Sequence, residues 1–118
     1  MFGFQKLEIY QLAKEIVKYN YKLTKKFPSE ERFSLVQQMN RAAVSVPSNI
    51  AEGTSRNTNK DRAHFINMSY GSLMELVCQM EISLDLGYIS QAEYREFIKQ
   101  TKNLSVKMSN YLKTVVER

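Results

Sequence analysis

The chain has 118 residues, 43% of them hydrophobic and 25% charged, and a formal net charge of +5. This is one domain, 1–118, long enough to bury roughly two-thirds of its unfolded surface without a metal or a disulfide. The single cysteine, Cys78, excludes an internal disulfide and fits a reducing cytoplasm; no apolar run approaches the roughly 20 residues of a membrane span, and the first residues have no signal-peptide layout.

Periods near 3.6 dominate, and β-branched alternation is absent. The first helix is expected from about Phe4 to Lys26, with Ile9, Leu12, Ala13, Ile16, Leu23 and Phe27 on one apolar face and Pro28 as its stop. Its outward face carries Lys14, Lys18, Lys22 and Lys25, flanked by Tyr10 and Tyr21. Ser29 reads as the N-cap of the second helix, with Glu30 and Glu31 in its first turn. The apolar row of that helix, Val36, Met39, Ala43, Val46, Ile50 and Gly53, keeps its phase through Pro47. One continuous helix kinked at Pro47 is the favoured reading, with Ser48 or Asn49 meeting freed backbone groups. The rival is a new helix with Pro47 in its first turn.

Across from the apolar row lie Arg41, Ser45, Ser48, Glu52 and Arg56, with Ala42 and Asn49 beside them. An ordinary solvated face carries long side chains. This one is small and polar between its charges, which suits the close approach of another subunit or a ligand. Ser48, Asn49 and Glu52 also make a weaker candidate for a small-molecule site.

A loop from Gly53 to Asn59 precedes a third helix capped by Thr58. Its core row is expected to be Ile66, Tyr70, Leu73, Val77, Met80 and Leu84. Phe65, Met68, Leu76 and Ile82 fall on other faces. A helix apolar on several sides is usually buried on several sides, so this one is expected to meet a second chain. It lies in the acidic part of the chain, residues 61–86, with net charge −3. Gly87 fits the left-handed position after its end. Ser90 and Glu93 form a capping box for the fourth helix, whose seam is Phe97, Thr101, Leu104, Met108, Tyr111 and Val115. Its outward face carries Arg95, Lys99, Lys102 and Lys113. Four amphipathic helices with short connections predict an all-α, antiparallel up-and-down four-helix bundle.

The sequence lacks the constellations of catalysis. His64, the only histidine, stands fourteen residues from Cys78, with no metal-ligand spacing, and reads as a surface or interface residue; Cys78 reads as a small packed one. No serine has a histidine nearby, and "EGTSR" lacks the spacing and lysine of a phosphate loop. No enzyme activity, cofactor or metal is expected. The rows of cations on the first and fourth helices fit phosphate contacts, with tyrosines placed to stack on unpaired bases.

"RAAVSVPSNIAEGTSR", with Arg41, Ala42, Ser45, Pro47, Asn49, Ile50, Ala51, Glu52 and Gly53, resembles the signature of the 23S rRNA-intervening sequence protein family. "LTKKFPSEERFSLVQQMNRA" before it, and "GSLMEL" and "LGYIS" after it, are similar to the same family. The resemblance implies a four-helix bundle assembling into a ring, a homopentamer, and implies little about activity. A more distant likeness, to the accessory variability protein of diversity-generating retroelements, brings nucleic-acid binding into consideration. The expected function is therefore a non-enzymatic homo-oligomer that binds structured RNA or DNA, with a protein-binding scaffold as the alternative. The expected partners are the chain itself, RNA or DNA, or a protein, and no membrane.

Overall fold

A computed structural model describes residues 2–116, with the side chain of residue 116 outside that description. Four helices account for most of them: α1 (Glu8–Thr24), α2 (Leu35–Thr54), α3 (Asn59–Asp85) and α4 (Gln91–Val116). Each packs on its neighbours in chain order, and α4 closes against α1. The pairings are antiparallel. The end of α1 meets the start of α2 through Asn20 and Asn40. Ser69 of α3 reaches Val46 of α2, and Lys26 and Lys107 bridge the two ends of the α1–α4 seam to Glu93 and Glu8. The result is the predicted up-and-down bundle, 46 Å long and 24 by 23 Å across.

Local chemistry explains most boundaries. Thr58 Oγ1 accepts the Asp61 N–H at 3.1 Å and opens α3. Gly87 has φ +79°, the left-handed geometry expected after the end of α3. Ser90 and Glu93 close their capping box in both directions, at 2.9 and 3.1 Å. Two boundaries differ from expectation. Gly3–Lys6 is a 3-10 turn, and Leu7 is extended at φ −71°, ψ 133°, so α1 begins only at Glu8. Gln5 holds this turn by accepting the Phe2 N–H at 2.8 Å, while its carbonyl takes Gln11 Nε2 at 2.7 Å. Ser29 caps nothing: Ser29–Glu31 is a separate 3-10 turn and α2 starts at Leu35. That turn is held by Glu31, which accepts the Tyr88 hydroxyl at 2.9 Å.

α2 runs unbroken through Pro47, as its unslipped apolar phase required. Two of the small polar residues around the proline, Ser45 and Asn49, spend their donors on the helix itself. Ser45 Oγ donates to the Ala42 carbonyl at 2.8 Å, and Asn49 Nδ2 to the Ser45 carbonyl at 2.9 Å. Asn49 therefore does not serve the Ala43 carbonyl that the proline leaves without its donor.

The core holds Ile9, Ala13, Ile16 and Leu23 of α1, Met39, Ala43, Val46 and Ile50 of α2, and Phe97, Leu104 and Met108 of α4, all on the expected rows. The row on α3 is rotated. Ile66, Leu73 and Met80 are buried as expected, but Ser69, Leu76 and Ser83 join them and Tyr70 is exposed. The serines enter the core because each hydroxyl finds a partner, Ser69 on the Val46 carbonyl at 2.7 Å and Ser83 on the Gln79 carbonyl at 2.8 Å.

Candidate nucleic-acid interface

Of the cations proposed for phosphate contact, Lys18 alone is paired among the described residues, with Glu15 at 3.2 Å. Two cations outside that set, Lys26 and Lys107, close the α1–α4 seam on Glu93 and, at 3.0 Å, on Glu8. Lys14 is half-buried and lies over the Tyr10 ring, 5.1 Å from its centroid. Lys22 and Lys25 of α1, and Arg95, Lys99, Lys102 and Lys113 of α4, are exposed. None of these has a carboxylate within 4.0 Å among the described residues. Because α1 and α4 are neighbours, the two free rows belong to adjoining surfaces.

The seam between the rows is tied by ion pairs and hydrogen bonds. Glu93 takes Lys26 Nζ and the Ser90 N–H, and these contacts, Lys26 first, hold its carboxyl below the usual glutamate range. Tyr19, whose hydroxyl donates to the Glu93 carbonyl at 3.2 Å, is pushed up by burial and then by Glu93 and Glu96. Tyr94, toward α3, is likewise pushed up by burial and then by Glu81 and Asp85.

The second predicted set, on α2 and α3, is split by the structure. Arg41, Ser48 and Glu52 are exposed; Ser45, Asn49 and Arg56 are half-buried. Glu52 and Arg56 pair one turn apart, and the Arg56 guanidinium lies 4.6 Å from the Phe65 ring centroid. Pro47 and Gly53 are buried within the chain. A Cβ on Gly53 would stand 2.9 Å from Phe65 Cβ and 3.3 Å from the Arg62 carbonyl. Gly53 and Phe65 therefore form the close contact between α2 and α3, and Phe65, half-buried, keeps only part of its side chain at the surface. Leu76 is fully buried in the bundle core, so its assignment to an interface is corrected. The wheel placed Tyr70 inward, but Ser69 takes the core position beside it and Tyr70 is exposed, while Val77 packs against the core partly buried. Ser48, Asn49 and Glu52 do not converge on a ligand: Asn49 is tied to Ser45, Glu52 to Arg56, and Ser48 alone borders the groove between α1 and α2.

The outer face of α3 remains uncovered. His64, Met68, Gly71, Glu75, Cys78 and Ile82 follow one another at heptad-like spacing, and all are exposed. Cys78 is thus a surface thiol, not the packed residue the sequence suggested. Met68 is 44% exposed and Ile82 43%. From Ala63 to Leu86 the helix and its end carry Glu75, Glu81 and Asp85 and no lysine or arginine. A Cβ on Gly71 would meet nothing within 4 Å, so nothing inside the chain requires a glycine there.

Among the described residues, no three His, Cys, Asp or Glu side chains gather to hold a metal, and no helix is long and apolar enough to cross a membrane.

The family model described as 23S rRNA-intervening sequence protein matches residues 5–110. No curated protein matches the chain. Among solved structures it is similar to a protein of unknown function from the S23 ribosomal protein family of Bacteroides thetaiotaomicron VPI-5482, solved at 1.70 Å. The TM-score is 0.81 at 18% identity, covering 89% of this chain and 98% of that one. The likeness is one of fold.

Proposed function

Since the chain belongs to the 23S rRNA-intervening sequence protein family, whose similar solved structure carries no assigned activity, we propose a function from its own surface: a non-enzymatic, self-associating bundle that binds structured RNA or DNA. The observation that carries this reading is the pair of free cation rows. Two ion pairs, Lys26–Glu93 and Lys107–Glu8, close the α1–α4 seam, while among the described residues Lys22, Lys25, Arg95, Lys99, Lys102 and Lys113 have no carboxylate within 4.0 Å. Flexible unpaired cations on adjoining helices suit a phosphate backbone and carry little sequence preference.

Self-association rests on α3. Its exposed apolar side chains flank Gly71, a mid-helix glycine that costs about 1 kcal/mol against alanine and has no use within the chain. A partner backbone approaching closely would give it one. The absence of cations along this face favours a basic neighbouring surface outside the two free rows, such as that around the exposed Arg41 of another copy. Ring closure, as a pentamer, would bring several copies of each cation row to one ligand and add avidity.

The test is fluorescence anisotropy of a labelled RNA duplex titrated at about 50 and 200 mM salt. Five or six phosphate contacts predict a loss of more than about a hundredfold in affinity across that range. Neutralising Arg95, Lys99 and Lys102 to glutamine should lower the slope of log affinity against log salt by about 1 per residue removed. No binding at low salt by correctly assembled protein would overturn the nucleic-acid reading. The scaffold would then be the better account, resting on the exposed Met68, Ile82 and Val106.

A further inference from the structure

Between the C-terminal end of α1, the Ser29–Glu31 turn and the start of α2 lies a cleft of about 410 Å³. That volume falls in the range of roughly 300–1,000 Å³ typical of small-ligand pockets. Tyr21, Thr24, Lys25, Arg32 and Asn40 are among its lining residues. Tyr21 is 39% exposed, so part of its side chain is open to solvent. Lys25 and Arg32 are exposed and have no carboxylate within 4.0 Å among the described residues. The nearest acids in the chain are Glu30 and Glu31, and Glu31 is engaged by the Tyr88 hydroxyl at 2.9 Å.

Asn40 makes this cleft more than a basic hollow. Its Oδ1 accepts Asn20 Nδ2 at 2.8 Å and Thr24 Oγ1 at 3.3 Å. Asn20 is fully buried and Thr24 nearly so. The Asn20 amide holds the Asn40 oxygen inward, with the Thr24 hydroxyl shared between that oxygen and the Tyr21 carbonyl at 3.4 Å, and the Asn40 Nδ2 group has no acceptor among the described residues. An aromatic face, two cations and one oriented amide donor match the parts of a single unpaired nucleotide: a base with a π-face and acceptor edge, and a phosphate beside it.

We propose that this cleft holds one unpaired nucleotide of a bound strand. The base stacks on Tyr21 and accepts a hydrogen bond from Asn40 Nδ2, while Lys25 and Arg32 hold the adjoining phosphate. The proposal rests on the nucleic-acid reading above and adds to it a preference for strands with an unpaired base over continuous duplex.

The test uses two RNAs of equal length, a continuous duplex and a hairpin carrying 2-aminopurine at one loop position. The full chain should bind the hairpin more tightly, with quenching of the 2-aminopurine as it stacks. Tyr21→Leu should weaken hairpin binding by roughly tenfold, the effect of losing one stacked base, abolish the quenching, and leave duplex binding unchanged. Tyr21→Phe should restore both signals. Asn40→Asp keeps the acceptor for Asn20 and Thr24 but removes the donor and adds a negative charge beside Lys25 and Arg32, and should weaken the hairpin more than the duplex. Urea unfolding of each variant confirms that the bundle is intact. If Tyr21→Leu binds and quenches like the unaltered chain, or loses duplex and hairpin alike, the nucleotide site is overturned while the nucleic-acid reading stands. If the unaltered chain binds neither RNA, both readings fall together.

Discussion

Glu93 joins three parts of the chain: its own helix cap through Ser90, the end of α1 through Lys26, and, through its carbonyl, Tyr19. Its carboxyl is held below the ordinary glutamate value by contacts that exist only in the folded chain. A depressed native value means that the stabilisation is present above the unfolded value, about 4.3, and is lost as pH falls through the native one. Glu93→Gln should therefore be less stable than the unaltered chain at neutral pH, and the two should converge in acid. Urea midpoints followed from about pH 7 to pH 2 check this; a gap of constant size across that range would contradict it. Gly53 makes an opposite kind of residue-scale argument. A methyl group there meets the root of Phe65 at 2.9 Å, where no flexible end can yield. Gly53→Ala should cost about 1–2 kcal/mol, the overpacking penalty less the gain in helix propensity, as read by denaturant unfolding.

At the scale of the element, α2 and α3 each carry a residue that helices disfavour, and the two cases differ. Pro47 is buried in a continuous helix, so Pro47→Ala should keep the helicity and raise stability by about 1–2 kcal/mol: the restored N–H regains the Ala43 carbonyl, offset in part by lost ring packing. Circular dichroism and urea titration together test it, and a fall in stability would show that the ring's packing dominates. Gly71 is exposed, so Gly71→Leu should hold or improve the stability of the isolated bundle yet reduce the mass seen by light scattering. An unchanged mass would remove α3 as the self-association face. These cases also show what was legible in the sequence. The number of helices, the caps at Thr58 and Ser90, the passage through Pro47 and the rows on α1, α2 and α4 were readable, because each follows from periodicity or a local hydrogen bond. The face of α3 was not. Its inward serines count as polar until their acceptors on Val46 and Gln79 are known, and its amphipathic signal is weak because the outer face is apolar as well. The cation rows were readable as residues. Which of them are free was not, since pairing across the α1–α4 seam depends on register between helices remote in the chain. The cleft at Tyr21 and Asn40 was missed for the same reason: the tyrosine was visible beside the lysines, but Asn40 gains its orientation only from Asn20 and Thr24 on another helix.

For the whole molecule, charge is distributed by surface. The α1 and α4 side is basic and largely unpaired, whereas the outer face of α3 is acidic and apolar. Such a molecule can associate with itself through one side and leave the other for polyanions. Raising the salt should then act unequally, releasing RNA steeply while leaving an association with a large apolar share less affected. Light scattering and anisotropy on the same samples at about 50 and 200 mM salt separate the two. A mass that falls in step with RNA affinity would mean that one electrostatic contact serves both.

The packing order also sets a time course. Helices meet their neighbours in sequence, and α1 with α4 is the one interhelical pairing that spans the chain among the described residues. The α2–α3 contact is the most extensive and is closed by the short connection around Ser55. Little loop entropy stands in its way, so this hairpin is expected to form first, and refolding should finish within milliseconds. In stopped-flow experiments Gly53→Ala should mainly slow refolding, because it disturbs that hairpin, whereas Glu93→Gln, on the seam that closes last, should mainly hasten unfolding.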